Sequence, residues 1–309
     1  MRKHLFDLAK VLISGILLFA LFRAFDFKAS IAALGAMEWG YFIIALLLFQ
    51  LSLLLRSFRW RFLLDALSVH VPLHRLLYLY YVGSFFNTFL PSGFGGDAVK
   101  MYELARYSRR ASESVGTVFV DRLAGITMLF IMGLLAWPLT YNKLPPREAM
   151  LLLVASVGGL FAAWLLFRQE WIGRLLRLLP KRLAGKVQSL YEAVHTCGVQ
   201  ALWKALAVSA LFNLALFGLN YALALALGVR VPFWVVVAFM PVLSLSMLLP
   251  SVGALGTREG AYVLLFGAAG VPQPVAMAMS LAFYVINVIT GVIGGLLYAT
   301  ASLAAMRRA

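Results

Sequence analysis

Apolar residues in this chain gather into runs of about 18 residues or more, separated by short polar segments. That is the pattern of membrane-crossing helices, not of amphipathic helices or alternating strands. Runs near 8–25, 40–57, 111–137, 148–167, 202–228 and 274–303 predict about six full spans. Two further apolar stretches, near 76–90 and 233–249, stop at similar broken words. The first is Leu90-Pro91-Ser92-Gly93-Phe94-Gly95-Gly96-Asp97, and the second runs from Leu249-Pro250-Ser251 through Gly253 and Gly256 to Thr257-Arg258-Glu259. In each, proline ends the incoming helix and glycines release the chain. Asp97 or Thr257 can then cap a new helix running back out.

Composition narrows the class. Of 309 residues, 63% are hydrophobic and 13% charged, which excludes a soluble enzyme with one core and a polar surface. The net charge of +15 does not indicate nucleic acid, because the basic residues flank apolar runs instead of interleaving with an aromatic platform. Their placement orients the chain. With a cytoplasmic N-terminus, 19 Lys and Arg fall in inside segments and five in outside ones, while Lys10, Arg122 and Arg258 fall within the membrane. Both termini are then cytoplasmic. The first run follows Met1-Arg2-Lys3-His4, holds Lys10 and lacks a small-residue cleavage site, so it is expected to be a retained helix and not a signal peptide.

Basic residues on both sides of the first break place both its ends in the cytoplasm, and the second break is flanked from outside. The expected fold is therefore an all-α polytopic membrane protein with two oppositely oriented re-entrant helical hairpins in an inverted-repeat architecture. A single transmembrane domain spans 1–309, with repeat halves 40–167 and 202–303 joined by a basic cytoplasmic surface segment, 168–200. For each break, an ordinary kinked spanning helix is the plainer alternative.

Intramembrane charges cost at least about 2.5–3.5 kcal/mol each and need a partner or a function. Asp97, Lys100, Glu103 and Arg106 recur every third residue along the helix leaving the first break, near one face. Asp97 and Lys100 are assigned to a cavity, whereas a solvated helix explains Glu103 and Arg106 as well. Asp121 and Arg122 diverge by about 100° on a helix and so face different neighbours. Arg122 suits bidentate phosphate binding, and Asp121 is expected to pair with Lys100 or Arg258. A structural ion-pair network is the alternative for both. Arg258 and Glu259 sit where the second outgoing helix starts, and a helix N-terminus at the midplane favours an anion. Asn87, Asn213, Asn220 and Asn287 either line this cavity or bond between helices.

No phosphate-binding loop, dinucleotide fingerprint, zinc motif or nucleophile elbow occurs, and no cofactor or metal is expected. Cys197 is a lone cysteine. His70 and His74 are spaced i, i+4 with no acidic partner expected nearby, so they are assigned to the membrane interface.

The run Asn87 to Lys100, the later Val120-Asp121-Arg122-Leu123, and the Pro250–Glu259 segment together resemble the lysylphosphatidylglycerol synthase transmembrane family, which is flippase-like. That family includes the membrane half of the bacterial multiple peptide resistance factor. The resemblance implies a bundle with paired re-entrant helices in a bacterial or archaeal cytoplasmic membrane. It also implies movement of a phospholipid or lipid-linked head group between leaflets. The chain ends at Ala309 directly after its last run, so the soluble aminoacyltransferase domain of full-length resistance factors is expected to be lacking. The expected activity is lipid transport, not enzymatic synthesis. Substrate contacts are expected from Asn87, Pro91, Gly95, Gly96, Asp97, Lys100, Asp121, Arg122, Pro250, Gly253, Gly256, Arg258 and Glu259. Partners are a membrane lipid, with room for a second copy or a separate lipid-modifying enzyme, and no nucleic acid. A membrane-embedded glycosyl- or acyl-transferase, with Asp97 or Glu259 as base, is the alternative activity. A non-catalytic partner subunit is a third.

Overall fold

The computed structural model describes residues 27–89, 95–109, 111–165, 181–247 and 256–306, so the expected first span, 8–25, lies outside the described residues. Ten α-helices follow in order: α1 Phe27–Gly35, α2 Trp39–Ala66, α3 Leu73–Phe89, α4 Gly95–Ser108, α5 Ala111–Ala136, α6 Pro146–Leu165, α7 Lys181–Ala226, α8 Phe233–Ser246, α9 Thr257–Ala268 and α10 Gln273–Met306. No strand occurs among the described residues. Five segments are long and apolar enough to cross a bilayer: Trp39–Ala66, Val115–Leu139, Pro146–Leu165, His195–Ala226 and Gln273–Ala301. These match five of the expected spans. The chain is a multi-pass membrane protein.

The five other helices are shorter: α1 holds nine residues ahead of α2, and the remaining four follow the long helices. Helices α3, α4, α8 and α9 hold 17, 14, 14 and 12 residues, or about 26, 21, 21 and 18 Å at 1.5 Å per residue. None reaches the roughly 30 Å of hydrocarbon. They come in two pairs, each interrupted at a broken word, and the words' centres, with Pro91, Pro250 and Gly253, lie outside the described residues.

Helix ends recur between the halves. Ala66-Leu67-Ser68-Val69-His70-Val71-Pro72 joins α2 to α3, and Ala226-Leu227-Gly228-Val229-Arg230-Val231-Pro232 joins α7 to α8. Both turns close alike: Val69 N–H donates to Leu64 O at 3.0 Å, and Val229 N–H to Ala224 O at 2.8 Å. Both reverse through a left-handed residue, Ser68 at φ 57° and Gly228 at φ 73°. The exits of the short pairs match too, through Arg109 at φ 56° and Gly270 at φ 84°. A long helix, two short ones and a long one thus occur twice, as α2–α5 and α7–α10. Ahead of each long helix the chain bends, at Glu38 before α2 and at Gly198 within α7, whose φ of 75° and ψ of 159° break the helix.

Close helix contacts are made where side chains are absent. A Cβ on Gly96 would collide with the Gly83 carbonyl, and one on Gly294 with the Tyr81 carbonyl. Helix α3 is therefore held against both α4 and α10. Helix α2 packs along α7, with Phe42, Ala45 and Phe49 against Leu219, Ala222 and Leu223. Around the first pair, Trp60, Leu64, Leu76, Leu79, Leu104 and Val118 form a core drawn from α2 to α5. Outward faces stay apolar, with Ile43, Leu47, Val154, Phe161 and Leu296 exposed, as lipid-facing helices require.

Two local expectations are corrected. Helix α2 continues nine residues past its expected end, to Ala66, so Arg56, Arg59 and Arg61 ride on the helix and not in a loop. His70 has an acidic neighbour after all: its turn folds back on the last turn of α2, placing Nδ1 3.1 Å from Asp65 Oδ1.

Candidate functional site

The start of α4 is built from small residues for a reason. Gly95 and Gly96 are buried, and the Gly96 N–H donates to Asn87 Oδ1 at 2.8 Å, fastening the end of α3 to the first turn of α4. Asp97 is not the cap that the sequence suggests, since α4 begins two residues before it. From the first turn its carboxylate still meets the positive end of the helix. It forms ion pairs with Lys100, at 2.8 Å, and with Arg122 of α5. Asp97 and Lys100 are each 3% exposed, while the Arg122 side chain is 28% exposed. The expected i, i+3 pair is thus present and turned inward. Glu103 is half-buried and Arg106 exposed, so the polar face runs out of the bundle after Lys100.

Asp121 pairs with neither Lys100 nor Arg258. Arg59 from α2 takes that place, donating through Nε to Asp121 Oδ1 at 2.6 Å and through Nη1 to Ser209 of α7 at 2.9 Å. The Tyr80 hydroxyl donates to the other oxygen, Asp121 Oδ2, at 2.6 Å. Room for the guanidinium comes from Gly125, where a Cβ would stand 2.7 Å from Arg59 Nη1. The divergence of Asp121 and Arg122 holds: one faces α2 and α3, the other the start of α4.

These groups form one layer. Lys100 Nζ lies 4.4 Å from the Tyr80 ring centroid, and Arg56 Cζ of α2 lies 4.7 Å from the same ring. Arg56 and Arg59 also share the Phe212 ring of α7, at 5.6 and 5.2 Å. Arg56, Arg59 and Tyr80 carry no sequence motif. Their signal was an Arg pair at i, i+3 closing an apolar run, which reads equally as a flank of positive charge at the membrane surface.

At the second break, α9 starts at Thr257, and the capping position is Gly256 at φ 88°, not Thr257. Glu259 reaches back, its Oε2 accepting from Gly256 N–H at 2.7 Å. Its Oε1 receives Arg258 Nη2 and, at 3.2 Å, the Ser280 hydroxyl of α10, which in turn accepts from Arg258 Nε at 2.9 Å. Arg258 and Glu259 are both buried. Deeper on the same helix, the Tyr262 hydroxyl donates to Asn220 Oδ1 of α7.

The asparagines divide. Asn87 belongs to the first break, Asn220 to the second, and Asn213 joins helices by donating to Gly125 O at 3.1 Å. Asn287 donates to Phe283 O of its own helix at 2.8 Å. A groove of about 600 Å³, lined by Gly260, Val263, Leu264, Gly267 and the Gly270–Gln273 turn, runs along the outward face of α9. It lies away from the Asp97–Lys100 layer on α4.

The comparisons with known proteins bear out the family resemblance. The family model described as the lysylphosphatidylglycerol synthase TM region matches residues 8–295. A UPF0104 membrane protein of Pyrococcus horikoshii is 21% identical over 292 residues, covering 83% of this chain and 86% of that protein.

Proposed function

Because the chain belongs to the lysylphosphatidylglycerol synthase transmembrane family, we propose that it is a lipid flippase or lipid transporter, and not an enzyme. It moves a phosphate-bearing head group between leaflets while the acyl or prenyl chains stay in the bilayer. The observation that carries this reading is the ion-paired group of buried Asp97 and Lys100 with the partly exposed Arg122, at the start of a helix too short to cross. Groups this polar are retained inside a membrane domain where they line a substrate path.

In this reading α3 and α4 form a re-entrant hairpin entered from the cytoplasm, and α8 and α9 form one entered from outside, related as an inverted repeat. Recurrence of the α2–α3 turn at α7–α8, and of the left-handed exits at Arg109 and Gly270, favours it. The phosphate takes Arg122 and Lys100 in place of water, with Asp97 balancing them when the site is empty. Arg258 trades Glu259 for the phosphate as the halves rock, so the second cluster acts as the opposing gate.

The test is purified protein in liposomes with a labelled anionic lipid. Transfer across leaflets without a new covalent product is expected, with at least a tenfold slower rate in the Asp97→Asn, Arg258→Ala double variant. Equal rates for wild type and variant would overturn the site. A covalently changed lipid would instead indicate a transferase.

A further inference from the structure

The first cluster holds more positive charge than it answers. In their ordinary ionised forms, Arg56, Arg59, Lys100 and Arg122 supply four positive charges, and among the described residues of the layer only Asp97 and Asp121 supply negative ones. The surplus is two. Its distribution is uneven: Asp121 is taken by Arg59 and Tyr80, and Asp97 is shared between Lys100 and Arg122. Arg56 is left. Its Nε is buried and finds no hydrogen-bond partner among the described residues.

Arg56 is also held in place without being neutralised. Its guanidinium carbon sits 4.7 Å from the Tyr80 centroid and 5.6 Å from that of Phe212, so two aromatic rings flank the half-buried side chain without using its Nε–H. Tyr80 itself cannot turn away, because its hydroxyl is bonded to Asp121. On another approach to that ring lies Lys100. A rigid guanidinium with an unmet N–H, beside a buried ammonium that must share its carboxylate, is an arrangement built for an incoming anion.

We propose that Arg56 is a phosphate-binding residue, and that the anion this layer takes carries two negative charges. Phosphomonoesters and pyrophosphate esters have that charge, whereas a phosphodiester leaves one cation unanswered. The inference rests on the phosphate-head-group reading above and selects within it: a lipid with a terminal phosphate or pyrophosphate is preferred to one with a bridging phosphodiester.

The test measures binding by calorimetry to the whole chain in detergent. The probes are dioctanoyl phosphatidic acid, dioctanoyl phosphatidylglycerol, inorganic phosphate and inorganic pyrophosphate. Phosphatidic acid is expected to bind at least tenfold more tightly than phosphatidylglycerol. Arg56→Gln is expected to weaken phosphatidic acid at least tenfold and to erase that preference, with an unchanged melting temperature reporting a folded site. Arg56→Lys, which keeps the charge but not the planar fork, should recover part of the affinity. Inorganic phosphate or pyrophosphate binding as tightly as the lipid would assign the layer to a free anion, not a head group. Equal affinity of phosphatidic acid and phosphatidylglycerol, or indifference to Arg56→Gln, would overturn the proposal. If labelled lipid still crosses leaflets in that event, only the role of Arg56 fails. If Arg56-dependent binding is found without leaflet transfer, the anion site stands and the flippase reading fails.

Discussion

The two breaks use the same local chemistry and end in different electrical states, one cationic and one neutral. At each, a carboxylate sits in the first turn of a short helix, Asp97 in α4 and Glu259 in α9, where it meets the positive end of the backbone dipoles. At the second break the account closes: one arginine, one carboxylate, one serine and one backbone N–H satisfy one another. The first break draws in residues from five helices and is left with two more cations than carboxylates among the described residues. Two short-helix pairs of similar pattern thus differ in charge: the cluster at the second break is neutral, and the one at the first carries an excess of cations among the described residues. Helix N-termini alone do not make either an anion site, since each already faces a resident carboxylate.

The largest loss is expected at Asp121. Asp121→Asn would leave Arg59, which is 2% exposed, without its counter-charge, at a cost of about 3–5 kcal/mol. Thermal unfolding in detergent measures this, and Arg59→Met combined with Asp121→Leu should restore much of the loss. Glu259→Gln should cost about 2 kcal/mol, because it weakens one ion pair and the closure of the α9 start together. Its anion binding should stay near wild type, which would sharpen the division of labour. Gly96→Ala should cost about 1–3 kcal/mol by driving α3 from α4, since no rotamer relieves a Cβ placed against the Gly83 backbone. Lipid transfer should fall with it, as Asp97 shifts. Arg106→Ala, on the same face of α4 but exposed, should change stability by no more than about 0.5 kcal/mol.

Much of the fold was legible along the chain because apolar run length is read directly as span length. Five spans and the short helices beside the two broken words follow from run length, proline and glycine, and the place of Asp97 and Lys100 beside the glycines pointed them inward. Asp121 and Arg122 were readable as a divergent pair, but not Asp121's partner. Arg59 lies on a helix that outruns its apolar stretch, and such an arginine looks the same whether it meets water or turns inward. Tyr80 is hidden for a different reason, since one more aromatic in an apolar helix carries no polar signal until its hydroxyl finds a carboxylate. The likeness of the two turns is written in Ala66–Pro72 and Ala226–Pro232. It becomes meaningful once both turns are seen to pass through a left-handed residue, which Ser68 adopts at a cost that Gly228 avoids.

Native mass spectrometry of the lipid that stays with the purified protein addresses the division most directly. Wild type is expected to carry a phosphate-bearing lipid. Arg56→Gln combined with Lys100→Met should lose it, and Arg258→Gln combined with Glu259→Gln, which keeps its cluster neutral, should retain it. Loss from the second double variant with retention by the first, or a bound lipid without phosphate, would contradict the assignment of the cationic receptor to the first break.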